Sequence, residues 1–437
     1  MKMKKIAALL AIAAASGSAF ATNGYFSHGY GIKAKGMAGV GIAFPQDALA
    51  AATNPAGITD IGDRVDVGID YFMPRRDASI AANGFDPDGP SNPAPAMPFN
   101  GSWNGDGQKN FLVPEFGYNK KLGWDMAVGV AIYGNGGMNT HYDTSPFAAG
   151  GLGAAMGGQS PGGVNLEQLF VAPTFAMKIN KNHSLGVSII YAYQRFGATG
   201  LQAFGNAGVS SDATALTNNG YAHSNGWGVR VGWTGKASDN VTLGATYASK
   251  MKMGKFDQYK GLFAEQGGFD IPENYGIGIA VKATPNLTIA ADIQQINYSS
   301  IKSIANPASN LFTLGNPLGA SNGPGFGWRD MTVFKLGLSY DYSKDLTFRA
   351  GYSVNRQPIP SAETLFNILA PGVIENHLTL GGTWTMANKN ELTVGYMHGF
   401  SKTVNGSSSV PLNFGKGEAS IKMHQDSIGI GYGIKFD

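Results

Sequence analysis

Side chains able to do covalent or metal chemistry stand in no catalytic context in this chain. There is no cysteine, so disulfides, thiolate metal sites and thiol nucleophiles are excluded. His28, His141, His183, His223, His377, His398 and His424 are scattered without an H-E-x-x-H pair. G-x-S-x-G occurs twice, at 158–162 and 319–323, each time between alternating stretches and not on the strand-to-helix turn that exposes a nucleophilic serine. A triad can assemble in any chain order, so a membrane-embedded hydrolase stays a rival that an ester-hydrolysis assay would expose. The expectation is no catalytic residue, no metal and no cofactor. What is left is binding chemistry. Arg230 and Arg349 carry guanidinium groups able to hold a carboxylate head group, provided that the chain turns them toward a ligand.

Which way they face follows from the strands that carry them. Residues 427–436 read S-I-G-I-G-Y-G-I-K-F, and successive side chains of a strand point to opposite sides. Ile428, Ile430, Tyr432, Ile434 and Phe436 make a greasy face, opposed by glycines, Ser427 and Lys435. The pattern recurs. Trp227, Val229, Val231 and Trp233 oppose Gly228, Arg230, Gly232 and Thr234. Phe334, Leu336, Leu338 and Tyr340 oppose Lys335, Gly337, Ser339 and Asp341. Fourteen such stretches can be counted, of a length suited to tilted membrane strands: 64–80, 109–121, 124–138, 165–180, 183–199, 224–237, 240–256, 270–284, 287–301, 328–343, 346–358, 374–388, 390–403 and 418–436.

The connections make a second pattern. Tight turns at 121–124, 180–183, 238–240, 284–287, 343–346 and 388–390 alternate with long loops, as short periplasmic turns alternate with extracellular loops in outer-membrane barrels. Tyr71, Trp124, Tyr191 and Trp384 suit interfacial girdles. The same parity turns Asp66, Asp70, Glu115, Lys178, Arg230, Lys282, Asp292 and Arg349 into the lumen, where a mutually paired network is the plain expectation.

Composition agrees. Lys2, Lys4 and Lys5 precede an apolar run over 6–15 and then Ala19-Phe20-Ala21, a secretory leader with an A-x-A cleavage site, too short to span a bilayer. Residues 1–21 are expected to be removed. Taking three lysines from 32 basic residues leaves 29, against 29 acidic, so the basic pI makes no case for nucleic acid or an anionic surface. Charged residues are 14% of the chain, against roughly 25% in soluble proteins, as expected when one face lies in lipid. No apolar run is long enough for a helical span.

Residues 22–63 do not alternate. They are rich in glycine and hold a helix-like stretch at 46–52 behind Pro45, which Pro55 ends by forcing Asn54 out of the helical region. A fourteen-stranded lumen is wider than one that side chains alone can fill, so this segment is expected as a hatch within it, with a periplasmic tail as the alternative. The loops are more apolar than water-facing loops. Leu201, Phe204, Val209 and Leu216 lie in 200–223, and Leu262, Phe263 and Phe269 in 257–269. Leu311, Phe312, Leu314, Leu318 and Phe326 lie in 302–327, and Leu365, Phe366, Ile368 and Leu369 follow a helix N-cap placed at Ser361. Such patches mark a binding surface or pack together as a lid, whereas sugar and ion pores need polar constrictions. A hydrophobic ligand is favoured over the runner-up, a general diffusion porin for small polar solutes.

Gly36-Met37-Ala38-Gly39 and then Asn54-Pro55-Ala56, in register with the leader and fourteen strands, resemble the FadL family of outer-membrane long-chain fatty acid transporters, which includes aromatic-hydrocarbon channels. The resemblance spans the mature chain. It implies an all-β fold: a monomeric, 14-stranded antiparallel transmembrane β-barrel over 64–437 in the outer membrane of a Gram-negative bacterium, with the hatch, 22–63, inside the lumen. It further implies capture of a long-chain fatty acid or hydrophobic hydrocarbon between the third and fourth extracellular loops, a lumenal pocket, and lateral exit through a break in the third strand. Tyr133-Gly134-Asn135-Gly136-Gly137 stands there, and glycines so dense weaken pairing and permit a bulge or kink. Expected partners are that ligand, outer-membrane lipid and lipopolysaccharide, and the barrel assembly machinery, with no nucleic acid. Burying a fatty chain is favourable by roughly 0.8 kcal/mol per methylene, so an apolar path suffices and transport is expected to be passive.

Overall fold

Backbone groups in lipid must be satisfied within the protein, which leaves helices or closed sheets. The computed structural model is a closed sheet. It describes residues 23–82, 100–123, 125–147, 161–411 and 416–436. The expected leader, 1–21, and Trp124 lie outside the described residues. Among these, sixteen strand segments occur, of which two short ones, Gly101–Asn104 and Lys252–Met253, attach to longer neighbours and fourteen form the wall. In chain order they are β1 (Arg64–Ala82), β2 (Phe111–Lys121), β3 (Met126–Tyr142), β4 (Gly162–Lys178), β5 (His183–Thr199), β6 (Ala222–Ser238), β7 (Val241–Ala248), β8 (Asn274–Thr284), β9 (Leu287–Ile296), β10 (Met331–Asp341), β11 (Leu346–Asn355), β12 (Asn376–Thr385), β13 (Glu391–Asn405) and β14 (Gly417–Lys435).

Each strand is antiparallel to its chain neighbour, and β1 also pairs with β14 from Arg64↔Lys435 to Ala82↔Gly417, which closes the barrel. The fourteen expected strands are all present, with shifted ends. β3 continues to Tyr142, four residues past the expected 138. β7 stops at Ala248 instead of 256 because Met251 pairs with Ile271 and Lys252–Met253 lie against Gly226 and Trp227. β9 ends at Ile296 because Tyr298–Ser300 forms a 3-10 turn.

The outward parity is greasy and exposed: Trp227 and Ile277 are each 60% accessible, while Arg230 between outward neighbours is 4%. Lipid supplies what water would refuse. On the inward side Asp66, Asp70, Glu115, Arg230, Asp292 and Arg349 are buried as expected, whereas Lys282 is exposed at the short-turn end. Their partners differ from the expectation. Instead of pairing mutually across the wall, most bond to residues 23–63, which pack against the inward face. Asp292 accepts from the amides of Gly41 (2.8 Å) and Ile42 (3.1 Å). Asp70 and Glu115 share Lys35 at 3.1 and 3.4 Å. Lys178 pairs with Asp60 at 2.8 Å. Alternation fixes which face a charge takes but not who meets it there.

Candidate hydrophobic binding site

The N-terminal segment is held by side chains that a sequence pattern cannot pair. Lys33 reaches Glu391 of β13 at 2.5 Å, and Arg64 joins the same carboxylate at 2.8 Å. Asp47 caps the 3-10 turn Ala48–Ala52, and Asn54 caps the next, Pro55–Thr59. The helix-like stretch thus ends before Asn54, as Pro55 demands.

Asn54 is a junction. Its Oδ1 accepts from the Ala56 amide at 3.1 Å, while its Nδ2 donates to the carbonyls of Ile42 (2.7 Å) and Trp233 (2.9 Å). Two wall glycines make room for this. A Cβ on Gly232 would stand 1.9 Å from Asn54 Oδ1, and one on Gly186 2.4 Å from the Ala56 nitrogen. Asn54, Pro55 and Ala56 are buried together against β5 and β6.

The third strand is irregular where its glycines cluster. The β2–β3 ladder runs only from Lys121↔Ala127 to Phe116↔Ile132. Above it β2 stays with β1, and the edge of β3 from Tyr133 onward loses this partner. On the other side, the register with β4 shifts between Gly134 and Gly136. Residues 25–27 take up the vacated edge: the Ser27 amide donates to the Asn135 carbonyl at 2.7 Å and the Gly137 amide to that of Tyr25 at 2.9 Å. A Cβ at Gly136 would lie 1.7 Å from the Tyr25 oxygen, so only glycine permits the approach. Asn135 is fully buried, accepting from Tyr30 at 2.8 Å and donating to Gln168 at 2.9 Å. Tyr133 stacks obliquely on Tyr30 at 4.5 Å.

At the long-loop end the apolar residues converge. Leu201, Phe204, Leu262 and Phe263 line one cavity with Phe196 and Phe366. Val209, Leu216 and Phe269 belong to the same apolar cluster without lining that cavity. The loops are pinned by Lys260 to Asp212 (3.0 Å) and by the Ser210 hydroxyl donating to the Gly261 carbonyl (2.7 Å). Ser361 begins a 3-10 turn but makes no side-chain cap, which corrects the helix N-cap placed there. The cavity holds about 40 Å³, far below the roughly 300 Å³ of a small-molecule pocket. A second cavity, of about 20 Å³ between Tyr25, Arg76, Met138 and Trp328, lies nearer to β3.

Aromatic contacts link the two regions. Phe196 meets Phe263 at 4.6 Å, Phe263 meets Phe269 at 4.9 Å, Phe269 meets Tyr25 at 6.1 Å, and Tyr25 meets Phe26 at 5.2 Å. Phe26 bridges to Gly136. Tyr25, Tyr298 and Trp328, all buried, were not singled out by sequence reasoning. Tyr25-Phe26, shortly after the expected cleavage site, was the available signal. Arg230 and Arg349, the two candidate head-group cations, face the N-terminal segment. Arg230 donates to the Thr53 carbonyl at 3.0 Å, and Arg349 to Gln46 and Thr383, each at 2.7 Å.

Known proteins share this architecture. The Pseudomonas putida toluene transporter TodX superposes with a TM-score of 0.66 at 19% identity, covering 95% of this chain and all (100%) of that one. The Ralstonia pickettii toluene transporter TbuX gives 0.61 at 17% identity over 94% of this chain and 99% of its own. In sequence, a long-chain fatty acid transport protein of Salmonella typhi is 25% identical over 336 residues, 68% of this chain and 70% of that protein. The family described as outer membrane protein transport protein (OMPP1/FadL/TodX) matches residues 8–437. With nearly every residue inside that match and a closed barrel beneath it, the chain belongs to this family, and its place is the outer membrane of a Gram-negative cell.

Proposed function

We propose that the protein takes up hydrophobic compounds passively, long-chain fatty acids or related hydrocarbons, by capture in the loops, passage through the lumen and lateral exit at β3. The observation that carries this reading is the run of ring contacts from Phe196 and Phe263 through Phe269 to Tyr25 and Phe26, ending on Gly136. An apolar molecule gains burial at each step and never needs a water-filled pore. The cargoes named for the relatives are of this class. In this reading residues 1–21 are a leader, 22–63 the hatch and 64–437 the barrel, which works as a monomer delivered by the barrel assembly machinery.

Both cavities are too small for such cargo, so the loops part to admit it and residues 25–27 leave the β3 edge to release it. Leu201, Phe204, Val209, Leu216, Leu262, Phe263 and Phe269 are the capture surface, and Tyr133, Gly134, Asn135, Gly136 and Gly137 the exit. Arg230 and Arg349 are occupied by the hatch and become available to a carboxylate only when it shifts. Deleting Gly136 and Gly137 to straighten β3 is expected to abolish uptake of labelled oleate and toluene while heat-modifiable migration shows a folded barrel. Unchanged uptake would defeat lateral exit. Liposome swelling by sugars would favour the porin instead.

A further inference from the structure

Outside the wall, at the long-loop end, β10 and β11 leave a concavity of about 810 Å³. Phe334 and Val354 form its membrane-side part. They are cross-strand neighbours on the lipid-facing parity, 50% and 43% accessible. Arg356 continues the parity of Val354 one step above, and Arg329 stands just before β10, its amide donating to the Pro358 carbonyl at 2.9 Å. Both arginines are exposed and line the concavity.

Neither guanidinium has a hydrogen bond or ion pair among the described residues. Four lysines at this end do: Lys250, Lys260, Lys302 and Lys402 each reach a carboxylate at 3.5, 3.0, 2.7 and 2.5 Å. The carboxylate in the concavity, Asp330, is already engaged, accepting from the Ser299 amide at 2.8 Å and its hydroxyl at 2.9 Å. Two free planar forks therefore sit directly above an apolar, lipid-facing surface.

We propose that this concavity binds one lipopolysaccharide molecule of the outer leaflet, with its lipid A phosphate on Arg329 and Arg356 and acyl chains over Phe334 and Val354. Arginine presents paired donors that match phosphate oxygens, and it sheds water more readily than lysine. The concavity opens at the loop end, where an outer-membrane barrel meets its anionic outer leaflet. The site is separate from the ligand path and does not depend on it.

The wild type, R329Q/R356Q and R329K/R356K are purified in mild detergent, and retained lipid is read by native mass spectrometry. Each is then titrated with bis-phosphorylated lipid A, dephosphorylated lipid A, phosphatidylglycerol and inorganic phosphate. The wild type is expected to keep one lipopolysaccharide, and the R329Q/R356Q variant to bind lipid A about thirtyfold more weakly, two charges' worth at an anionic surface. The lysine pair should fall between, and dephosphorylated lipid A should bind weakly to all three. Equal retention by the glutamine pair overturns the proposal, as does phosphatidylglycerol matching lipid A or inorganic phosphate displacing it. Should R329Q/R356Q fail to migrate as a folded barrel, R329Q and R356Q singly carry the same test at about fivefold each.

Discussion

Replacing Asn54 by alanine should loosen the N-terminal segment without touching the barrel. The side chain makes three hydrogen bonds, to the Ala56 amide and to the Ile42 and Trp233 carbonyls, and is 1% accessible. Each bond contributes about 0.5–1.5 kcal/mol net, so their joint loss costs about 2–4 kcal/mol, or about 30- to 700-fold in local opening. Amide exchange reads this directly, because sub-global opening is measured residue by residue. The Thr53 and Gly57 amides, bonded to the Ala50 and Asn54 carbonyls at 3.0 and 3.1 Å, should exchange faster by that factor. Amides in the β1–β14 ladder should not change. Exchange that stays at the wild-type rate near Asn54 would refute the reasoning, and so would acceleration spread evenly through the barrel. Gly232→Ala approaches the same junction from the wall, since its Cβ would stand 1.9 Å from Asn54 Oδ1, and should produce the same local pattern.

Gly136→Val places a side chain where the Tyr25 oxygen now stands 1.7 Å from the Cβ position. The Ser27 and Gly137 amides should then lose exchange protection while the ladder between β5 and β6 keeps its own. Phe263→Ala removes a ring that meets Phe196, Phe256 and Phe269. It should cost the loop cluster about 3 kcal/mol and lower oleate uptake at limiting concentration, with the thermal unfolding of the barrel unchanged. Asp212 is held down to about 2 by hydrogen bonds from Thr214 and Lys260. A carboxyl depressed in the folded state keeps its tether above the ordinary value near 3.8 and loses it as pH falls through about 2. Protection factors in 257–263, with the intrinsic base-catalysed rate divided out, should therefore be flat from about pH 5 to pH 8, whereas Asp212→Asn should lower them across that range.

The wall was legible because lipid leaves each strand two sharply different faces. Trp227, Val229 and Val231 could be oriented from spacing alone, and so could the turns between paired strands. Strand ends were less legible, since β7 stops where Met251 finds Ile271, a contact between segments that no local pattern encodes. Glycines on the inward parity looked like ordinary small lumen residues. At Gly232 and Gly186 they are notches cut for Asn54 and Ala56, and their purpose exists only once the chain's beginning has folded against them. The charges tell the same story. Asp292 was placed on the correct face, but its partners are two backbone amides about 250 positions away, which carry no sequence signature. The loop aromatics were found by composition, whereas Tyr25 escaped because irregular chain has no period, and Trp328 because the expected strand from 328 begins only at Met331.

The N-terminal segment is bound unevenly, and the unevenness bears on how cargo leaves. Residues 31–59 are tied to the wall by Lys33 to Glu391, Lys35 to Asp70, the paired amides on Asp292 and the Asn54 junction. Breaking a buried charge pair by removing one partner costs about 3–5 kcal/mol, and several would have to part together. Residues 25–27 meet β3 through two backbone hydrogen bonds, about 1–3 kcal/mol net, along with ring contacts that an apolar cargo could replace. Withdrawing the whole segment, which a porin would require, is therefore far costlier than lifting its first few residues from the β3 edge. A molecule that supplies its own apolar surface offsets part of even that smaller cost, and a sugar supplies none. On the proposed function, the same anchoring that opposes a water channel leaves the sideways route as the one a greasy ligand can open for itself.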